Sequence, residues 1–157
     1  SEPVWPGEMT QVDFYVLEPA ASGSRHALAC RIVEKAWSQG HRVLVNCASA
    51  EEARQVDRLL WTHRDQGFVP HGLLGEADPV LNPVLVAHGG DAGVEHDVLV
   101  NLSPTVPVCF SRFTRVVEPV DNDPEARTAG RERFKFYRDR GYQPTMHTVG
   151  RTQKNAD

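Results

Sequence analysis

The sequence has few cysteines and no long hydrophobic run, and these absences exclude several classes of protein. Its three cysteines, Cys30, Cys47 and Cys109, are odd in number and far apart. They favour buried free thiols in a reducing cytoplasm over a disulfide framework or a CxxC metal site. No apolar run approaches the roughly 20 residues of a membrane helix. The first ten residues carry no basic segment followed by an apolar one, so we expect no signal peptide and a cytoplasmic location.

Motifs of enzyme sites are equally scarce. The segment EPAASGSRH, residues 18–26, has one glycine and matches neither GxGxxG nor GxxxxGK[ST]. The seven histidines form no HExxH pair and no close set with the cysteines, so we expect no metal or other cofactor. No GxSxG elbow is present either. The glycine-rich segment 88–93, HGGDAG, lies between two apolar runs and is typical of a hairpin-like turn.

The hydrophobic patterns that are present predict one α/β domain. Strands are predicted at QVDFYVL, HRVLVNC, NPVLVAH, HDVLVNLS and FTRVVEPV. Helices are predicted from Ser22 or Ser24 to Gly40, over about 50–61 after a capping box at Ser49 and Glu52, and from Asp123 to about Arg140. This order predicts a single Rossmann-like domain with a largely parallel central sheet flanked by helices.

We expect this domain to span residues 11–142, between an N-terminal extension, 1–10, and a flexible C-terminal tail, 143–157, which has little apolar content. Because a fold does not determine a function, an enzyme or nucleotide-binding protein that uses the C-terminal edge of the sheet stays an alternative. A function therefore has to be inferred from particular side chains.

Charge is unevenly distributed along the chain. Residues 1–110 hold 7 basic and 14 acidic side chains, a balance of −7, and residues 111–157 hold 10 and 7, a balance of +3. The C-terminal part is therefore expected to meet an anion, although the excess is too small to indicate duplex DNA. On the last predicted helix, Arg127, Arg131 and Phe134 share one face. This arrangement suits an acidic peptide with a hydrophobic end, and a solvated face that complements the helix dipole is the alternative.

The segment LLWTHRDQGFVPHGLLGE, residues 59–76, is unusually apolar for a loop. Trp61 lies at the end of a helix whose core face is already supplied, and Phe68, Val69 and Pro70 follow Gly67. Aromatic residues and proline in such positions are typical of a protein-binding hot spot. The alternative is a small satellite core in which Phe68 and Val69 lie under the loop.

Six segments together resemble one family, the chi subunit of bacterial DNA polymerase III holoenzyme. They are DFYVL, GHRVLVNC, LLW…FVPHGLLGE, DVLVNLS, FTRVVEPV and GRERFKFYRDRGY, which occur in the family's order over about residues 10–145. The resemblance implies a non-catalytic α/β subunit that contacts neither DNA nor a membrane. It also implies two partners: the psi subunit, which joins chi to the clamp loader, and the acidic C-terminal tail of single-stranded DNA-binding protein, which ends in Pro-Phe.

The resemblance assigns one partner to each patch. The residues that match the psi-facing surface are Trp61, Phe68, Val69, Pro70 and His71, and a repair helicase is an alternative partner there. The residues that match the pocket for the tail are Val120, Arg127, Arg131 and Phe134. Arg127 stands where a lysine is common in the family, which keeps the charge, and Phe134 where a tyrosine is common, which keeps the ring.

Overall fold

The apolar segments pair into one parallel sheet. The computed structural model describes residues 9–63 and 67–150. Its strands are β1 (Gln11–Leu17), β2 (Val43–Cys47), β3 (His71–Leu73), β4 (Val84–His88), β5 (Val98–Asn101), β6 (Arg115–Val120) and β7 (Thr145–Val149). They lie in the order β3-β4-β2-β5-β6-β1-β7, and every pairing is parallel. The prediction of an α/β domain with a largely parallel sheet is confirmed.

Three helices cover the two faces of the sheet: α1 (Arg25–Ser38), α2 (Ala50–Thr62) and α3 (Pro124–Asp139). The Ser24 side chain caps α1 by accepting a hydrogen bond from the Ala27 N–H, and Ser49 caps α2 through the Glu52 N–H. After α1 and α3 the chain turns at Gly40 and Gly141, where φ is 90°. None of the helices in the described parts of the chain is long and apolar enough to cross a membrane.

The core is divided by the sheet into two main layers. On one face, α1 and α2 pack on the valines of β2, β4 and β5, with Val33, Val56 and Leu60 fully buried among them. On the other face, Tyr137 of α3 packs with Phe14 of β1 and Val116 of β6. Strand β2 is buried at all five positions, as expected for a central strand covered on both faces.

The segment 88–93 does not form the predicted hairpin-like turn. Strands β4 and β5 lie on opposite sides of β2 and run parallel to it, whereas a hairpin joins antiparallel neighbours. Gly89 and Gly90 instead begin a connection that returns the chain from the end of β4 to the start of β5. The apolar runs of β4 and β5 are close in sequence, and this suggested that the two strands would be neighbours in the sheet.

The C-terminal segment also differs from the flexible tail expected after residue 142. Residues 145–149 form β7, an edge strand that pairs in parallel with β1. It is mostly exposed, which explains why its sequence carries no strong apolar pattern. Residues 1–8 and 151–157 lie outside the described residues, so the N-terminal extension and the end of the tail are not tested.

Candidate protein-binding surfaces

A buried polar cluster fixes the position of α3 on the sheet. Glu118 of β6 is fully buried and accepts hydrogen bonds from Arg133 Nε at 2.7 Å, Tyr137 OH at 2.6 Å and Asn101 Nδ2 at 3.0 Å. Burial raises the pKa of Glu118, and the Arg133 charge and the three hydrogen bonds oppose that rise. Because both Arg133 and Tyr137 reach one carboxylate, the helix has little freedom to rotate or slide.

This orientation turns one side of α3 toward β1. We call Arg127, Arg131 and Phe134 the α3 basic face. The Arg127 guanidinium donates to the Leu17 carbonyl at 2.7 Å and to Asn122 Oδ1, and the Phe134 ring centroid lies 5.3 Å from that of Phe14. All three contacts are made with β1 or with Asn122, which follows β6.

Arg131 lies between these two anchored side chains. It is exposed, and within the described parts of the chain it makes no hydrogen bond or ion pair. Val120, the fourth residue predicted for this site, is 4% exposed and lies beneath α3, where a Cβ on Gly130 would stand 3.2 Å from Val120 Cγ2. The structure therefore brings the three helix residues together and gives Val120 a supporting position under them.

A second surface is formed where α2 ends and β3 begins. We call Trp61, Phe68 and Pro70 the Trp61–Phe68 surface. Trp61 and Phe68 are 48% and 42% exposed, and their ring centroids are 5.0 Å apart. Exposed aromatic side chains of this size in contact with each other are typical of a protein-binding site.

The other two residues predicted for this surface are buried. Val69 is 2% exposed and belongs to the core under α2. His71 is 5% exposed, and its ring is held between the Val69 carbonyl at 2.7 Å and the Asp57 carbonyl at 3.0 Å. The His71 ring also lies beneath both exposed rings, 5.1 Å from Trp61 and 5.8 Å from Phe68. Val69 and His71 thus support the surface from below.

The N-terminus of α1 is occupied by a carboxylate of the chain itself. In nucleotide-binding α/β folds, the first helix after β1 directs its free N–H groups at a phosphate. Here Asp121 Oδ2 accepts from the Arg25 N–H at 2.9 Å, and Ser24 Oγ accepts from the Ala27 N–H at 3.1 Å. A phosphate at this position would meet the negative charge of Asp121, which is 7% exposed.

The cysteines have the properties of structural thiols. Cys30 and Cys47 are buried, as predicted, and burial raises the pKa of each to about 12. Cys109 is half-buried, and burial raises its pKa as well. A thiol with a raised pKa is a poor nucleophile and a poor metal ligand at neutral pH. In residues 9–63 and 67–150, no three His, Cys, Asp or Glu side chains are grouped as a metal site would require.

The Glu118 cluster escaped the sequence analysis, although a signal was present. The predicted strand FTRVVEPV carries a glutamate among apolar residues, and a charge in a buried strand requires a partner. Arg133 and Tyr137 are four residues apart on the last helix and offer that partner from one face.

The fold and the position of the exposed residues define a Rossmann-like α/β protein with surface patches on either side of its sheet. Two solved structures share the fold. T4 UvsW has a TM-score of 0.63 at 11% identity over 92% of this chain and 42% of its own. Yeast (S. cerevisiae) Dbp5 bound to RNA and ADP BeF3 has a TM-score of 0.61 at 12% identity over 96% and 44%. Such low identities establish the fold alone.

The chain belongs to the DNA polymerase III chi subunit (HolC) family, whose model matches residues 9–145. A chi subunit from Pseudomonas aeruginosa is 39% identical over 91% of this chain and 99% of its own length. Those from Haemophilus influenzae and Escherichia coli are 31% and 30% identical over 87% and 85% of this chain, and over 96% and 95% of theirs. The family resemblance seen in the six sequence segments is confirmed.

Proposed function

We propose that this chain is a non-catalytic accessory subunit of the DNA polymerase III holoenzyme in DNA replication. It links psi, and through psi the clamp loader, to single-stranded DNA-binding protein by holding the acidic C-terminal tail of that protein. Family membership supports the assembly with DNA polymerase III. The observation that carries the linking role is the α3 basic face, with Arg131 exposed and without a partner in the described structure.

Binding of the tail follows from the chemistry of the α3 basic face. Arginine binds carboxylates through two parallel hydrogen bonds, so Arg131 is suited to an Asp side chain or to the terminal carboxylate. Arg127 already donates to Leu17 and Asn122 and offers mainly its charge. Because such pairs are exposed, the affinity should be modest and should fall as salt is added. Several tails on one partner raise the effective affinity.

The Trp61–Phe68 surface is assigned to psi. Its contact area is aromatic and includes Pro70, with no arginine or lysine among its three residues. An apolar contact of this kind depends little on salt and is suited to a long-lived complex. Single-stranded DNA-binding protein and psi would then bind through different chemistry, and neither contact requires this chain to touch DNA.

Removal of the Arg131 guanidinium tests the assignment of the tail. We expect Arg131→Ala to weaken binding of a synthetic acidic peptide ending in Pro-Phe by about tenfold or more in calorimetric titration. Arg54→Ala is the matched control, because Arg54 is an exposed arginine on α2, on the other face of the sheet. Equal losses in both variants would mean that the peptide responds only to net charge, which would contradict the assignment.

The complementary variant tests the assignment of psi. Phe68→Ala should weaken the complex with the psi subunit by about tenfold or more and leave peptide binding unchanged. Val108→Ala serves as the control, since Val108 is 93% exposed and lies outside both surfaces. Loss of both partners in either Arg131→Ala or Phe68→Ala, with the fold preserved by circular dichroism, would disprove a model with two separate surfaces.

A further inference from the structure

The strand that the sequence analysis missed lies next to the α3 basic face. The pairings of β6, β1 and β7 place Val120, Val16 and Thr148 in one row across the sheet. Glu118, Phe14 and Met146 form the next row. Paired residues of neighbouring strands point to the same face, so Met146 and Thr148 lie on the face that α3 covers.

The cover that α3 provides ends between β1 and β7. Val120 and Phe14 lie under the helix and are 4% and 1% exposed. Val16 is only half-buried, and Met146 is 57% exposed. A groove therefore runs along β1, with Val16 at its base, the α3 basic face on one side, and Met146 and Thr148 on the other.

Strand β7 is fixed in register from the opposite face of the sheet. His147 Nε2 lies 2.8 Å from Asp13 Oδ1, and the His147 ring stacks on Tyr15 with centroids 4.6 Å apart. The Glu18 N–H also donates to the Val149 carbonyl at 2.8 Å. These contacts hold the middle and the C-terminal end of the strand, so the positions of Met146 and Thr148 relative to α3 are set by the fold.

The two sides of the groove differ in chemistry. The α3 side carries two guanidiniums, whereas no residue of β7 carries a carboxylate, lysine or arginine, and Met146 is its large exposed apolar side chain. A peptide with carboxylates along its length and a bulky apolar end would place the carboxylates toward α3. Its apolar end would then meet Met146, whose thioether adapts to an aromatic ring with little cost in packing.

We propose that β7 forms the second wall of the groove that holds the tail, and that Met146 contacts the terminal hydrophobic side chain of the tail. This inference rests on the proposed tail-binding function and adds the element that selects for a large apolar end. The α3 basic face provides charge recognition, and β7 provides discrimination between end residues.

Two peptides and the Met146→Ala variant test the contact between Met146 and the end of the tail. The peptides are acidic and identical except that one ends in Pro-Phe and the other in Pro-Ala. The wild-type protein should prefer the first by roughly 10-fold or more, because a buried aromatic side chain contributes that much. In Met146→Ala this preference should fall to about threefold or less, while the affinity for the Pro-Ala peptide stays nearly constant.

A pair of charge variants tests the orientation of β7. Met146→Asp places a carboxylate inside the groove, and Thr145→Asp places one on the neighbouring residue, which is exposed on the opposite face. Both change the net charge equally. We expect Met146→Asp to weaken the affinity for the Pro-Phe peptide by about tenfold or more. Thr145→Asp should change the same affinity by less than about threefold.

The outcomes separate this inference from the function on which it rests. If wild-type protein binds the Pro-Phe peptide and Met146→Ala keeps the full preference for it, β7 is not a wall of the site, although the tail-binding function stands. Equal effects of the two Asp variants would overturn the inference in the same way. If wild-type protein binds neither peptide at low salt, the proposed tail-binding function fails and the role of β7 fails with it.

Discussion

At the scale of single residues, Glu118 matters most for the position of the candidate tail site. Its carboxylate has no contact with solvent, and Arg133, whose side chain is 8% exposed, supplies the opposite charge. Burial of two charges together is close to neutral for stability, whereas burial of one alone is strongly unfavourable. The pair therefore contributes mainly by requiring α3 to lie where Arg133 can reach Glu118.

Substitution of Glu118, of Arg133 or of both should reveal how far the position of α3 depends on this pair. Glu118→Leu is expected to lower the free energy of unfolding by about 3–5 kcal/mol, because Arg133 is left buried and unpaired. Glu118→Leu combined with Arg133→Met should cost about 1–3 kcal/mol less than the sum of the two single variants. Urea denaturation of the four proteins measures the difference. Strictly additive costs would show that the two side chains do not depend on each other.

Residues 68–71 show what the sequence can and cannot predict at this scale. The aromatic character of Trp61 and Phe68 is evident from the sequence, and the structure leaves both half-exposed. The burial of Val69 agrees with the alternative of a small core under the loop, although Phe68 stays outside it. The burial of His71 was not predictable, because it depends on a strand of three residues, too short for an alternating pattern to be recognised. Once β3 pairs with β4, alternate side chains must turn inward.

At the scale of elements, β7 depends on one side chain more than on its own apolar content. It is an edge strand with a single neighbour, and three of its five residues are exposed. Besides the backbone pairing with β1, the His147 side chain attaches it through the Asp13 carboxylate and the Tyr15 ring. Asp13 in turn is held by Arg115 Nε at 2.8 Å.

Truncation of the His147 side chain should loosen β7 and leave the rest of the sheet unchanged. For His147→Ala we expect the amides of β7 to exchange with solvent about tenfold faster, since a lost hydrogen bond of this kind contributes about 1–1.5 kcal/mol. Thr145→Ala, at an exposed position of the same strand whose side chain makes no hydrogen bond in the described structure, should have no effect. Hydrogen exchange measured by NMR distinguishes them, and unchanged protection in His147→Ala would show that β7 is held by its backbone alone.

The elements that the sequence predicted best were those with complete local signals. Helices α1 and α2 begin at the predicted caps Ser24 and Ser49, and α3 begins after Asp123 with Pro124 in its first turn. Each of these signals is contained within a few residues. The neighbours of β4, β5 and β7 in the sheet depend on pairing across long stretches of chain, which periodicity does not encode.

At the scale of the whole molecule, the two candidate surfaces are well separated. The Trp61–Phe68 surface lies beside β3 at one end of the sheet, and the groove along β1 lies next to β7 at the other. Six interstrand spacings of about 4.8 Å put roughly 29 Å between these edges. Helices α2 and α3 also lie on opposite faces of the sheet.

This separation predicts that both partners bind at once and independently. The affinity for the acidic Pro-Phe peptide should change by less than about twofold when the protein is saturated with psi, because sites this far apart couple only through a conformational change. Calorimetric titration of the peptide into the free protein and into the psi complex measures this. Competition between psi and the peptide would show that the surfaces overlap or that psi alters α3.

The carboxylate of Asp121 at the start of α1 affects how a subunit that connects psi to single-stranded DNA-binding protein would operate. Domains that hold a ligand at this end of the sheet gain stability as the ligand concentration rises. Here the counter-ion is part of the polypeptide, bonded to the N–H groups of Arg25 and Asp123. The N-terminus of α1 is therefore stabilised by a carboxylate of the chain itself. In the proposed function, the distance between the two attachment points would be set by the fold of the domain and its own counter-ion.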